Sequence, residues 1–218
     1  MSTAAIAAQL GVHYSTVAND LAAVRPRRVP RIDSPVSSPP QNLPTSDTSA
    51  TGTWSGLAQC ENAWAATMNQ PGIYRWFLDG PLPEPFNWPA HLSPLGLGDL
   101  LYVGKATNLR TRAKHHKLPT AGSTLRRTLA SLMGFPGVWH GKSAHPRIAE
   151  EHNAFLTDWM TNNLLMSFRG LQEHETLESA EVLLRKQSKA PLNKDAMTPE
   201  QLHASEVGRR WKASAIRL

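Results

Sequence analysis

The chain has 218 residues, with 23 Lys and Arg against 17 Asp and Glu, so its formal net charge at pH 7 is +6. Its single cysteine, Cys60, excludes an intrachain disulfide and a cysteine-based zinc site. No apolar stretch approaches the roughly 20 residues of a membrane span, and no basic N-terminal region precedes an apolar core. We therefore expect a cytoplasmic chain with no membrane partner.

The first 24 residues predict two short helices joined by a tight turn. Gly11 suits the left-handed turn that ends the first helix, and Ser15 or Thr16 suits the start of the second. The string IAAQLGVHYSTVANDL resembles the helix-turn-helix of bacterial repressors, in which the second helix faces the major groove. Such a domain also needs a third helix to bury its apolar face. Three interpretations of residues 1–24 therefore stay open: a DNA-binding element, a remnant, or a helix pair docked on a partner.

Residues 25–53 contain six prolines and few apolar side chains. Such a segment cannot bury enough apolar surface to order itself. We predict a semi-extended linker here, followed by a globular domain over residues 54–197 and a basic helix or tail over residues 198–218.

Three short apolar runs in the globular segment predict strands, over residues 71–78, 99–104 and 164–168. Residues 79–98 hold five prolines and three glycines, which predicts an irregular insert and a candidate substrate loop. The pattern as a whole predicts a small α+β fold, in which an antiparallel three-stranded sheet is flanked by helices.

Helical periodicity and capping signals predict six helices, over residues 54–68, 107–117, 123–133, 146–160, 176–189 and 198–211. Thr107 is the predicted N-cap of the second helix, and Pro146 is predicted to open the fourth. Ile148, Phe155 and Trp159 form the predicted buried stripe of that fourth helix.

Positive charge is concentrated in residues 105–127, which contain no Asp or Glu. A charge run by itself usually marks a solvated helix face, but a basic patch of this density is also the electrostatic footprint of a phosphate backbone. We assign six of its side chains to nucleic-acid binding: Lys105, Arg110, Lys114, Lys117, Arg126 and Arg127.

Two strings at the predicted strands carry the strongest functional signal. PGIYR at residues 71–75 and LYVGKATNLRTR at residues 101–112 each place a tyrosine, Tyr74 and Tyr102, in a short apolar run close to a glycine. The second string then opens the basic helix.

Further along the chain, the spacing of polar residues extends this signal. Arg112 lies ten residues after Tyr102, and His116 lies one helical turn beyond Arg112. Glu181 is followed twelve residues later by Asn193. Over about residues 54–197, these elements in this order resemble the GIY-YIG nuclease family, with Tyr-Val-Gly as a conservative variant of its second motif.

The resemblance implies roles in phosphodiester hydrolysis. Tyr102 would contact the attacking water and help to remove its proton, with Lys105 and Arg112 as the cations that favour its ionised form. Tyr74 would orient Tyr102 or the water. Arg112 would contact the scissile phosphate as a planar fork, and His116 would bind phosphate or protonate the leaving oxygen.

The resemblance also implies one divalent cation, Mg²⁺ or Mn²⁺, held by Glu181, because a hard cation that keeps several waters needs few protein ligands. Glu178 and Glu175 are the rival carboxylates. Asn193 would shape the site by hydrogen-bonding backbone. We expect no other small-molecule cofactor. Three further histidines are predicted to be structural or exposed and not metal ligands: His140, His145 and His152.

The leading hypothesis is a metal-dependent endonuclease whose partner is DNA. A DNA-binding regulator that has lost activity is one alternative. A nuclease for RNA or branched nucleic acids is another, since such a site contacts phosphates and not base edges. The oligomeric state stays open.

Overall fold

The computed structural model describes residues 54–59, 69–115 and 122–217, apart from the side chains of Lys114 and His115. The helix-turn-helix-like segment and the linker that the sequence predicts before residue 54 lie outside the described residues. So do His116, Lys117 and Cys60.

One antiparallel sheet has the strand order β1–β5–β2–β3. Its strands are β1 (Ala58–Gln59), β2 (Gly72–Leu78), β3 (Leu100–Ala106) and β5 (Leu164–Gly170). A separate parallel pair joins β4 (Val138–Trp139) to β6 (Ile216–Arg217). The three long strands of the main sheet are those that the sequence predicts. The α+β class is therefore confirmed, and residues 79–98 contain neither helix nor strand.

The fourth strand, β1, corrects the helix predicted over residues 54–68, of which residues 54–59 are described. Ala58 pairs with Met166 at the open edge of β5. Ser55 donates its N–H to the carbonyl of Phe168 over 2.8 Å, and its hydroxyl accepts the N–H of Phe168 over 3.0 Å. These bonds to an unpaired strand edge hold the segment extended.

Five helices are described: α1 (Leu109–His115), α2 (Thr124–Leu132), α3 (Glu150–Asn163), α4 (Leu177–Ser188) and α5 (Pro199–Ser214). The hydroxyls of Ser123, Thr176 and Thr198 cap α2, α4 and α5, at the residues where the sequence predicts these helices to begin. The predicted cap of α1 is wrong. Asn108, and not Thr107, caps α1, because its side-chain oxygen accepts the N–H of Thr111 over 2.9 Å.

Helix α3 begins at Glu150, four residues later than Pro146, where the sequence predicts its start. Arg147 exchanges two backbone hydrogen bonds with Val138, of 2.7 and 2.8 Å, and this bridge keeps the chain extended before the helix. Phe155 is 46% exposed, while its neighbour Leu156 is fully buried. The predicted stripe of α3 is therefore wrong at Phe155.

The sheet lies between two apolar clusters. Tyr74 and Trp76 point into the larger cluster, which α5 joins through Trp211. Ile73 and Val103 belong to the smaller cluster, on the side of α4. Strand β3 lies at one edge of the sheet, and side chains from the two apolar clusters approach each other at that edge. Across residues 54–59, 69–115 and 122–217, we find no helix both long and apolar enough to span a bilayer.

Candidate active site

The two motif tyrosines lie on the same face of neighbouring strands. Tyr74 pairs with Gly104, and Trp76 pairs with Tyr102, so the two phenol rings approach each other diagonally. Their centroids are 6.3 Å apart, with an interplanar angle of 32°. A Cβ atom at position 104 would overlap the ring and hydroxyl of Tyr74. The glycine of the second motif therefore makes room for the tyrosine of the first.

Both tyrosine hydroxyls are held in their neutral form. Burial is the largest influence, and it raises the pKa of Tyr74 and of Tyr102 above the ordinary value of 10.0. The negative charge of Glu181 acts in the same direction on both, whereas Arg112 lowers both values. A hydrogen bond with Tyr102 further raises the pKa of Tyr74.

Arg112 is brought to the tyrosines by the packing of α1 against β2. A Cβ atom at Gly72 would overlap the carbonyl oxygen of Arg169 and a methyl group of Leu109, so only a glycine allows this close approach. Arg112 lies one turn beyond Leu109 and is half-buried. Its Nη1 donates to the carbonyl of Gly122 over 3.3 Å.

Glu181 lies on α4 and is 9% exposed. Its Oε2 is 3.1 Å from the Nζ of Lys105, and its Oε1 is 3.3 Å from the Nη1 of Arg185. Lys105 also contacts Glu178 over 3.2 Å, and Arg185 also pairs with Asp195. Glu181 is thus the centre of a network of alternating charges at the edge of β3.

This network changes the expected role of Lys105. The sequence predicts that Lys105 favours ionisation of Tyr102 and binds nucleic acid, but its ammonium group contacts two carboxylates. Arg185 is a further cation near the tyrosine, and its charge lowers the pKa of Tyr102. Arg185 is not among the site residues predicted from the sequence, although a Glu and an Arg four residues apart on a helix are the signal that would have found it.

Asn193 is 2% exposed and closes the edge of β3. Its side-chain oxygen accepts the N–H of Val103 over 2.9 Å, and its amide nitrogen donates to the carbonyl of Val103 over 2.8 Å. The N–H of Leu192 donates to the carbonyl of Leu101 over 2.9 Å. A side chain therefore takes the place of a neighbouring strand beside Tyr102.

The side chains that are predicted to bind nucleic acid lie in different environments. Arg110 is exposed on α1, and Arg127 is partly buried on α2. Arg126 is fully buried, and its Nη2 donates to the side-chain oxygen of Asn153 over 2.8 Å and to Thr157 over 2.9 Å. The assignment of Arg126 to nucleic-acid binding is therefore wrong, because this cation fastens α2 to α3. The side chain of Lys114, like Lys117 and His116, lies outside the described residues.

Only a metal that needs few protein ligands fits this site. Within the described part of the chain, no group of three His, Cys, Asp or Glu residues could hold a metal ion. A single carboxylate suits a hard divalent cation that keeps several waters. Glu181 offers that carboxylate, and its contacts with Lys105 and Arg185 show that the position accepts positive charge.

A small α+β domain that presents two tyrosines, an arginine and a glutamate at one sheet edge has the parts of a phosphodiester-cleaving site. A family model described as the GIY-YIG catalytic domain matches residues 72–207, and the chain belongs to this family. Neither a curated protein nor a solved structure matches the chain. Membership implies a nuclease with a nucleic-acid partner, in a family that is generally metal-dependent.

Proposed function

We propose that the chain is a metal-dependent endonuclease that hydrolyses phosphodiester bonds of DNA. One observation carries the proposal: Tyr74 and Tyr102 lie on the same face of neighbouring strands, with ring centroids 6.3 Å apart, and Arg112 and Glu181 lie close enough for their charges to act on both. These four groups come from two strands and two helices, and together they provide what phosphodiester hydrolysis requires. Residues 54–197 form the catalytic domain in this proposal, with α5 packed on it, and residues 1–24 form a targeting element.

Arg112 binds the scissile phosphate in this proposal. Arg112 is half-buried beside the tyrosines, and its hydrogen bond to the backbone carbonyl of Gly122 is a long one, at 3.3 Å. A planar fork matches two phosphate oxygens and stabilises the charge that builds up on them in the transition state. His116, four residues after Arg112 in the sequence, binds the same phosphate or protonates the leaving oxygen.

Tyr102 positions the attacking water and accepts a proton from it as a phenolate, after its own hydroxyl proton has passed to solvent, and Tyr74 orients Tyr102. The raised pKa of Tyr102 means that this tyrosine is neutral in the free protein. Arg112, Arg185 and Arg127 lower this pKa, against the effects of burial and Glu181. A cation that neutralises the charge of Glu181 therefore lowers the pKa of Tyr102 and favours its ionised form.

Glu181 is the proposed ligand of a Mg²⁺ or Mn²⁺ ion, which would supply positive charge to the phosphate and lower the pKa of nearby hydroxyls and water. Lys105 occupies Oε2 of the same carboxylate and therefore competes with the ion. Asn193 shapes the site by fixing Val103, between Tyr102 and the motif glycine.

The test compares plasmid nicking by the wild type, by Glu181→Gln and by the matched variant Glu178→Gln. Both glutamates contact Lys105, but the side chain of Glu178 is 73% exposed, against 11% for Glu181. We expect Glu181→Gln to lose activity and Glu178→Gln to keep it. Equal activity in wild type and Glu181→Gln would contradict the metal assignment.

One observation favours the alternative of an inactive nucleic-acid binder. Both carboxylate oxygens of Glu181 already hold cations, so this residue also fits a purely structural role. If the wild type binds DNA in a salt-sensitive manner but cuts no substrate with either metal, this alternative replaces the proposed enzyme.

A further inference from the structure

A basic cavity of about 310 Å³ lies beside the tyrosine site, between α2 and α5. Residues just before α3 and just after Asn193 also line this cavity. Among its lining residues are five basic or titratable side chains: Arg127, His145, Lys194, Arg209 and Lys212. The described residues that line it include no Asp or Glu.

Lys194 fits into this cavity because Gly208, on α5, has no side chain. Its Nζ lies 2.8 Å from the position that a Cβ atom of Gly208 would take. Gly208 therefore leaves the space in which the ammonium group of Lys194 rests against the helix. On the opposite wall, Arg127 donates to the hydroxyl of Thr124 over 3.1 Å.

The two lysines of the cavity have no carboxylate partner among the described residues. Arg209 pairs with Glu206 over 2.7 Å, but neither Lys194 nor Lys212 has a salt bridge to a described carboxylate. The ammonium group of Lys212 lies 5.6 Å from the centre of the Trp139 ring. Burial lowers the pKa of Lys194, and the charges of Arg127 and Lys212 lower it further, as expected where cations face one another.

The cavity also contains a hydroxyl group that is available to bind a ligand. Ser205 lines the cavity, and its Oγ is buried without a hydrogen-bond partner among the described residues. Buried polar groups are normally satisfied. A cavity that combines unpaired ammonium groups with an unsatisfied hydroxyl is suited to an anion with several acceptor oxygens.

Two links join the cavity to the tyrosine site. The charge of Arg127 lowers the pKa of Tyr102, and the charge of Arg112 lowers the pKa of Arg127, after burial as the largest cause. Asn193, which fixes the strand beside Tyr102, immediately precedes Lys194. One residue of chain, about 3.8 Å, therefore separates the edge of the site from the cavity.

We infer that this cavity binds a backbone phosphate of the nucleic-acid strand, next to the phosphate that is cut, through Lys194, Lys212 and Arg127. The inference rests on the proposed function, because it places the bound strand across the tyrosine site. Phosphates recur at every nucleotide of a strand, with an axial rise of about 3.4 Å in a duplex, so a strand bound across the tyrosine site carries further phosphates past the residues beside it. The cavity fixes the position of the strand, while Arg112 acts on the reacting phosphate.

Binding measured in the presence of a chelator tests the inference without cleavage. A labelled DNA duplex is titrated with wild type, with the double variant Lys194→Met and Lys212→Met, and with Arg210→Ala at several salt concentrations. Arg210→Ala is the control, because Arg210 is a cation of α5 that does not line the cavity. Arg210 pairs with Glu206 over 2.6 Å. We expect the double variant to bind about tenfold more weakly and its log–log salt slope to fall by about 2, with little change for Arg210→Ala.

Gly208→Ala is a second variant that keeps the net charge. Alanine favours the helix, and its methyl group displaces the ammonium group of Lys194. We expect weaker DNA binding with an unchanged or higher unfolding temperature. A folded Gly208→Ala protein with wild-type affinity, or a double variant whose DNA affinity and salt slope match those of Arg210→Ala, would overturn the inference.

A free phosphate compound is the other source of the same chemistry, and pyrophosphate is the probe for it. If pyrophosphate raises the unfolding temperature of wild type but not of the double variant, while DNA affinity is equal in both, the strand assignment is overturned. Failure of the proposed function is separate, since it would appear as a wild type that binds DNA but does not cut it.

Discussion

The side-chain amide of Asn193 forms two hydrogen bonds with the backbone of Val103, one to its N–H and one to its carbonyl. Val103 lies between Tyr102 and Gly104 on the edge strand. An edge strand presents unpaired backbone groups, and here one buried side chain satisfies a pair of them. The position of Tyr102 therefore depends on a residue 90 positions away in sequence.

Replacing Asn193 by Ala leaves both backbone groups of Val103 buried and unpaired. We expect a loss of about 2–4 kcal/mol in the free energy of unfolding, because each unsatisfied group costs roughly 1–3 kcal/mol. Urea denaturation measures this change. Asn162→Ala is the control, since Asn162 is exposed and bonds within its own helix. Equal unfolding midpoints for the two variants would contradict the account.

Gly104→Ala tests how the two motifs depend on each other. The added methyl group overlaps Tyr74, so the phenol ring must move. We expect the rate of plasmid nicking to fall about 100-fold, because small displacements of positioning groups have effects of this size. Gly56→Ala is the matched control, because a Cβ atom there meets nothing within 4 Å.

A double variant makes the Gly104 test sharper. In a Tyr74→Ala background the ring is absent, so Gly104→Ala should cause little further loss of stability or activity. Additive effects of the two substitutions would show that Gly104 has some other function.

Lys105→Met removes the ammonium group that competes for Glu181. We expect half-maximal nicking at about two- to fivefold lower Mn²⁺ concentration, since Lys105 is a partly exposed ion-pair partner. Lys186→Met is the control, because Lys186 is an exposed cation of the same helix as Glu181. If Lys105→Met needs more metal than the wild type, the ammonium group contributes to the metal site and does not compete with the metal.

Alkaline pH should destabilise the fold through the two motif tyrosines. Burial raises the pKa of both above 10.0, so the unfolded chain loses these protons first as pH rises. The stabilisation is complete below pH about 10 and is lost above it. Thermal unfolding between pH 8 and 11 measures the effect, with absorbance at 295 nm reporting ionisation. Tyr102→Phe should flatten this pH dependence, and an unchanged slope would contradict the raised pKa.

Local signals in the sequence predicted much of the fold. The long strands were marked by apolar runs, and Ser123, Thr176 and Thr198 marked the starts of their helices. Each of these signals acts within one turn or one strand. The spacing of Arg112, Glu181 and Asn193 also indicated the GIY-YIG family. The family-model match to residues 72–207 shows that the chain belongs to it.

Most of the errors share a different cause, since they depend on a partner distant in sequence; the cap of α1 is the exception, because Asn108 and Thr111 lie three residues apart. The extended segment at Ser55 exists because β5 offers an open edge 113 residues away. Arg126 looks like a surface cation in its helix, but its partners Asn153 and Thr157 lie on α3. The start of α3 depends on a bridge to Val138. Lys194 was missed because its position depends on Gly208, on another helix.

Cleavage of supercoiled plasmid by purified protein, with Mg²⁺, with Mn²⁺ and with chelator, tests the central claim most directly. Arg112→Ala is measured beside the wild type. The account predicts metal-dependent nicked or linear plasmid, reduced at least 100-fold in the variant, the size expected when a transition-state charge contact is lost. No conversion in either metal, or equal conversion by wild type and Arg112→Ala, would contradict it.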